Sequence, residues 1–536
     1  MKVSMQKKLV FLFLVLLAPC VRAEFRLSPV FSDNMVLQRN EPVCIFGEGT
    51  SGAVVSVEFA GQRQAVPVSE SGRWSVRLEP LETASVPAVM TVVASSSAGR
   101  QEKKIQNVLV GDVWFCSGQS NMAVPVSQSL DAEKEIAAAQ HPELRFLKVR
   151  QDVALAARED VIVERAWSVC TPESVGDFSA VAYYFGREIQ RESGVPIGVI
   201  QSAWGGTPIE AWIPAAAMES DSECAAVLKP WEDMRQKIED YDANFGHYVE
   251  ERKKELQELN RVLWQWTLRK RAAKEKGEAF SEPAPKARTP PLPGHQNTPE
   301  GLFNAMVSPV TPLAIRGVIW YQGESNANQV EAARLYGKQL PLLIKSWRAA
   351  WKRPDLPFYL VQIANYDAVQ TSPKENGGWP LLRAMQLQTW KNTPHTGMAS
   401  TIDLGEADNI HPKNKQEVGR RLARYALKNE YGKDETVSGP IFRSARRSGG
   451  KVVLDFDYAE GGLAAREGSP MGFALGGADG KWHWAQAEIA GGIVYLQSEH
   501  VSSPVAVAYG WASNPIGNLY NPSSGLPVVP FCEEIP

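Results

Sequence analysis

Two different rhythms of apolar and polar residues divide the chain. From about Phe25 to Gln106 short runs alternate, as in Val54 to Phe59 and Trp74 to Leu78, and Gly and Ser interrupt them. A period of two sends alternate side chains to opposite faces of a strand, so this stretch predicts a small β-sandwich. Beyond it the pattern changes. Val108 to Cys116 is a nearly continuous apolar run, and Ile197–Gln201, Val318–Tyr321, Phe358–Ala364 and Met398–Asp403 also read as strands. Between them, Ala180–Arg191, Glu331–Trp351 and Lys413–Leu427 carry their apolar residues at helical spacing. Strands that alternate with helices imply a parallel sheet covered on both faces. From about Val437 the β pattern returns, in Lys451–Phe456 and Pro504–Tyr509, and predicts a second β-domain.

The expected organisation is an N-terminal β-sandwich over 24–106, an α/β domain over 107–435 and a C-terminal β-domain over 436–536. The α/β domain is interrupted at about 225–298. There Trp231 to Lys276 is charge-laden and helical in pattern, and Pro283 to Pro293 is rich in proline. Charge runs are usually exposed faces, so a solvated helical hairpin with a stiff return segment is expected rather than a lid. Residues 1–23 have a different character. Lys7 and Lys8, the apolar run Leu9 to Ala18 and the small-x-small sequence Val21-Arg22-Ala23 form a signal-peptide pattern, with a mature start near Glu24. Export to a periplasm or out of the cell is therefore expected. Leu17-Ala18-Pro19-Cys20 loosely resembles a lipoprotein box, but its Pro is atypical and lipid anchoring is the lesser expectation.

Composition narrows the partners. With 57 Lys+Arg against 60 Asp+Glu the formal net charge is -3, which leaves no basic excess for nucleic acid. The five cysteines after Cys20 are widely spaced and form no CxxC pair, so neither a zinc knuckle nor a disulfide scaffold is expected. No second long apolar run follows the first, so no membrane span is expected in the mature chain. No HExxH or clustered His/Cys set suggests a metal or other cofactor.

The chemistry-bearing residues fall at strand ends. Gly118-Gln119-Ser120-Asn121-Met122 directly follows the apolar strand, and in open parallel sheets ligands meet the chain at the carboxyl ends of strands. Of the seven His, His411 alone has a carboxylate three residues before it, Asp408. That spacing lets a carboxylate hold an imidazole in one tautomer and stabilise its charged form. Two further strand ends offer donors for an oxyanion: Trp204-Gly205-Gly206-Thr207 through backbone N–H groups, and Gln322-Gly323-Glu324-Ser325-Asn326 through side-chain amides. Glu324, in a strand-end loop, is expected to orient its neighbours by hydrogen bonds.

These segments together resemble the sialate O-acetylesterase family of the SGNH hydrolases. The residues that carry the resemblance are GQSNM (Gly118 to Met122), WGGTPIEAW (Trp204 to Trp212), RGVIWYQGESNA (Arg316 to Ala327) and DNIHP (Asp408 to Pro412). Weaker similarity covers Phe31 to Gln38 and Gly517 to Asn521. The resemblance implies a three-layer α/β/α hydrolase domain flanked by β-rich domains. It also implies Ser120 as nucleophile, Asp408 orienting His411, and an oxyanion hole of Ser120 with Gly205 or Gly206. The GxSxG elbow of α/β-hydrolases is absent. Many SGNH enzymes place a third donor in a GxND motif; here the block reads QGESN, which leaves Gln322 or Asn326 for that role. The implied reaction is metal-free acyl transfer from an O-acetylated sugar or glycan. An acetylxylan or other polysaccharide esterase, or a glycan-binding protein with a dead hydrolase core, are the alternatives.

Overall fold

The structure is a computed structural model that describes residues 25–97, 99–276 and 294–536, together with 278, 280–283 and 285. The signal-peptide pattern and most of Pro283–Pro293 lie outside the described residues.

The organising element is the strand Gly99–Gly118. Its first part pairs antiparallel with Ala84–Ser96, and its second part lies between the parallel strands Ile197–Ala203 and Gly317–Tyr321. The expected division at 106/107 therefore falls inside one continuous strand that belongs to both sheets. His141–Val149 extends the parallel set beyond Ile197–Ala203, and Phe358–Gln362 followed by Thr396–Ser400 extend it on the other side. Val163–Cys170 closes one edge antiparallel to His141–Val149.

The near-continuous apolar character of these strands has a direct cause. Trp114, Cys116, Ile319, Tyr321, Tyr359 and Val361 pack with residues of the helices Ala180–Ser193 and Lys415–Tyr431. Their neighbours Val113, Phe115, Val318, Trp320, Phe358 and Leu360 pack instead with residues of Val330–Ala350 and Gly378–Asn392. Both faces of each strand are buried, so alternation has no polar side to report.

In the N-terminal region a three-stranded sheet of Arg26–Leu27, Val43–Glu48 and Arg73–Leu78 accompanies the strands that lead into Gly99–Gly118. In the C-terminal region two four-stranded sheets enclose a core that includes Leu454, Leu496, Leu475 and Val507. Arg383 joins this last region to the parallel sheet. Its buried guanidinium donates to the carbonyls of Ile363 (2.9 Å) and Ala364 (2.8 Å) at a strand end. It also donates to those of Ala512 (2.7 Å) and Ser513 (2.7 Å). Burial pulls its pKa down to about 9, and Glu375 pulls back.

Replacing Arg383 by Met would leave these four carbonyls without their buried donor. We expect a destabilisation of roughly 3 kcal/mol or more, read as a lower urea midpoint. An unchanged midpoint would show that the two regions are held together elsewhere.

Candidate active site

The register of the sheet gathers the strand ends. Gly118 is paired with Ala203 on one side and Tyr321 on the other, so the chain leaves the sheet at one level toward Ser120, Gly205 and Glu324. Gly118 is required there. Its φ is +140°, and a Cβ would stand 2.1 Å from the Tyr321 carbonyl oxygen. The next residue locks the turn: the Gln119 N–H donates to the Tyr321 carbonyl (2.9 Å), and its side-chain oxygen accepts from Ser325 N (3.2 Å). Ser120 then opens the short helix Ser120–Ala123.

Ser120 Oγ lies 2.8 Å from His411 Nε2. His411 comes from the loop before the helix Lys415–Tyr431, and Glu406 and Asn409 shape that loop. Asn409 Oδ1 accepts from His411 N (3.0 Å), and its amide donates to the His411 carbonyl (2.8 Å) and to Glu406 (3.0 Å). Asp408 is exposed in the same loop. Burial first, and the nearby Lys415 charge second, hold the His411 imidazole below its ordinary pKa of 6.5. Both effects favour the neutral imidazole, the form a proton acceptor needs.

Gly205 touches the nucleophile directly. A Cβ on it would sit 3.1 Å from Ser120 Cβ, and its N–H meets no backbone acceptor among the described residues. Gly206 beside it is exposed, with a φ of +71° that forms the turn.

The two amides expected to supply the third donor are turned elsewhere. Gln322 donates to Asn326 Oδ1 (2.8 Å) and the Thr207 carbonyl (3.2 Å), while Asn326 donates to Glu210 (3.1 Å). Asn326 Oδ1 also accepts from Ile209 N (3.0 Å). Both side chains are buried, and neither lines the cavity at Ser120. Their hydrogen bonds instead tie the loops after the two neighbouring strands together. This corrects the expectation drawn from the QGESN block.

Beneath Ser120 and His411 lies a buried polar junction. Asn121 donates through one amide nitrogen to Glu324 Oε1 (2.5 Å) and to the Ile410 carbonyl (3.0 Å), and its oxygen accepts from Lys415 Nζ (2.5 Å). Glu324 and Lys415 are both almost fully buried. Burial raises the Glu324 pKa, against its own backbone, Asn121 and Lys415, and lowers that of Lys415 to about 7, against Glu324 and Glu406. Glu324 thus orients a neighbour, as its loop position suggested. Lys415 was not anticipated: its sequence surroundings, Lys413-Asn414-Lys415-Gln416-Glu417, look like a solvated helix start.

Glu324 and Ile410 of this junction line an open cavity of about 860 Å³ that also includes Ser120, His411 and Gly205. One wall was expected to be free of the site. The helix Tyr241–Glu275 buries Tyr241, Phe245, Val249 and Arg252, and its residues Lys253, Leu256 and Asn260 line the cavity. Arg252 pins it by a 2.9 Å contact to His295 Nε2. The solvated hairpin expected from the charge run is therefore only half correct, because one helix face belongs to the site.

A serine hydroxyl against a half-buried imidazole, beside a backbone N–H with no backbone acceptor among the described residues, in an open cavity, is the equipment of an ester hydrolase. Comparison with known proteins agrees. A family described as "Carbohydrate esterase, sialic acid-specific acetylesterase" matches residues 110–279 and 295–428. The chain belongs to that family of carbohydrate esterases. It is 29% identical over 549 residues to sialate O-acetylesterase of Homo sapiens, covering 95% of this chain and 92% of that one. To sialate O-acetylesterase of Mus musculus it is 28% identical over 553 residues, covering 95% and 94%. A solved structure of a carbohydrate acetylesterase from Xanthomonas citri superposes with a TM-score of 0.76 at 33% identity, covering 95% of this chain and 99% of that chain.

The charge at Lys415 yields a pH test. Activity that needs neutral His411 rises with pH through a pKa below 6.5, so kcat/KM for an aryl acetate is expected to reach its plateau by neutral pH. Lys415→Met removes a cation that disfavours protonated His411, so the acid limb is expected to move to higher pH. A limb that stays in place would show that His411 does not feel Lys415.

Proposed function

We propose that the chain is an SGNH-type sialate O-acetylesterase that removes acetyl groups from sialic acids through Ser120, His411 and Asp408. The observation that carries this function is the 2.8 Å approach of Ser120 Oγ to His411 Nε2 inside the open cavity. The parallel sheet with helices on both faces, and the β-strands on either side of it in the chain, support a three-layer hydrolase domain with flanking β-domains. The relatives named sialate O-acetylesterase span 95% of the chain and support the sugar.

In this mechanism the Ser120 hydroxyl donates to His411 Nε2 and passes its proton there as Oγ attacks the acetyl carbonyl carbon. The carbonyl π electrons move to oxygen, and the N–H groups of Ser120 and Gly205 receive that charge. Asp408 keeps the imidazole in the accepting tautomer and stabilises it once charged. Collapse of the tetrahedral species breaks the bond to the sugar oxygen, which leaves with the proton from His411. A water that gives its proton to His411 then attacks acetyl-Ser120, and acetate departs as the proton returns to Oγ. Export through residues 1–23 belongs to the same proposal and rests on the sequence pattern alone.

A second substrate class has one observation in its favour. The Xanthomonas citri relative is a carbohydrate acetylesterase, a class that includes esters of neutral polysaccharides.

Acetate release from O-acetylated sialic acid and from acetylated xylan distinguishes the two. We expect the sialic acid ester to be the better substrate, and Ser120→Ala to lower release at least about a thousandfold. Equal release by wild type and variant would remove Ser120 from the mechanism, and release from xylan alone would replace the sugar.

A further inference from the structure

We propose that Arg150 forms a carboxylate-binding subsite in the Ser120 cavity and that the charged insertion helix completes the wall behind it. The subsite rests on the sialate reading above and specifies how the sugar's own acid group is held. Arg150 lies just past the strand His141–Val149. Lys148 of that strand is paired with Gln201, so Arg150 stands at the level of Ala203, the same edge from which Ser120 and Gly205 emerge. Its side chain is 47% exposed, and it lines the cavity together with Ser120, His411 and Lys253.

The local charges do not cancel. Buried Asp152 is held by Arg158 at 2.6 Å, and Lys253 reaches it at 3.6 Å while pairing with Glu250 at 2.8 Å. Arg150 approaches Asp152 only to 3.8 Å, at the same oxygen that Arg158 already occupies. Three cations thus share two carboxylates, and one positive charge is left over. Glu164, the other carboxylate on this side of the cavity, is paired with Lys148 at 2.8 Å. Glu324 also lines the cavity, and its Oε1 is engaged by the Asn121 amide at 2.5 Å. The surplus charge therefore falls to Arg150, whose planar fork matches a carboxylate by two parallel hydrogen bonds. Lys253 and Glu250 both come from Tyr241–Glu275 and line the cavity as an ion pair, so the insertion walls the subsite while the unmatched charge stays on Arg150.

An O-acetylated sialic acid carries such a carboxylate at C1 in addition to its acetyl ester, whereas a neutral acetylated sugar does not. Arg150 and Ser120 line the same cavity, so one sugar can present its carboxylate to the first and its acetyl ester to the second.

The test compares kcat/KM for acetate release from O-acetylated sialic acid and from its C1 carboxamide, in wild type, Arg150→Gln and Arg150→Lys. Wild type is expected to favour the free acid by roughly 10- to 100-fold, the scale of a hydrogen bond to a charged group. That ratio is expected to fall toward one in Arg150→Gln and to recover in part in Arg150→Lys. A ratio kept in Arg150→Gln, or absent from wild type, would overturn the subsite and leave the sialate activity standing. If instead wild type releases acetate only from acetylated xylan, the proposed sugar falls. Inhibition of aryl acetate hydrolysis by free sialic acid then decides the subsite. Inhibition that is weakened in Arg150→Gln supports it, and no inhibition, or inhibition equal in both proteins, overturns it.

Discussion

The site depends on how the side chain of Asn121 is used. Asn121 follows Ser120, and the carbonyl it bonds belongs to Ile410, the residue before His411. One amide therefore fixes the spacing between the segment carrying the hydroxyl and the segment carrying the imidazole, which lie 291 positions apart in the chain. Glu324 and Lys415 hold that amide in place from opposite sides. Because the junction is buried, each of its hydrogen bonds operates in a low dielectric, and loss of any one would leave a buried polar group unpaired.

The sheet makes this junction possible. Parallel pairing of Gly118 with both Ala203 and Tyr321 sets three chain segments at one level, and the absence of a side chain at Gly118 lets the first of them turn against the Tyr321 carbonyl. At Gly205 the same lack of a Cβ lets the backbone approach Ser120 closely. Arg383, farther along, joins the ends of the Phe358–Gln362 strand to the C-terminal region through carbonyls from both. The catalytic edge is thus framed by backbone contacts that a single substitution can disturb.

Much of this was legible in the sequence because burial leaves a simple trace. Doubly buried strands appear as apolar runs, and the motifs after them placed Ser120, His411, Gly205 and Glu324 at one edge. The strands His141–Val149 and Val163–Cys170 and the helix Gly378–Asn392 left weaker traces, since charged residues such as Arg145, Lys148, Glu164 and Arg383 interrupt them. What sequence pattern cannot express is the partner of a polar side chain. Gln322 and Asn326 looked like free donors and bond mainly to each other and to the Thr207 loop. Lys415 looked solvent-facing and is buried, because its charge is met by groups that lie far away in the chain. The insertion misled in the opposite sense. Its many charges mark the outer face of a helix whose inner face, through Phe245, Val249 and Arg252, is packed against the domain.

The central claim is that Ser120 is a nucleophile activated by His411. Labelling with a fluorophosphonate tests it without choosing a sugar: Oγ displaces fluoride at phosphorus, and the adduct stays on the attacking residue. Mass mapping of the labelled protein should place the phosphonyl group on the peptide that contains Ser120, with labelling strongly slowed in His411→Ala. Label on a different residue, or full esterase activity in a protein whose Ser120 remains unlabelled, would contradict the account.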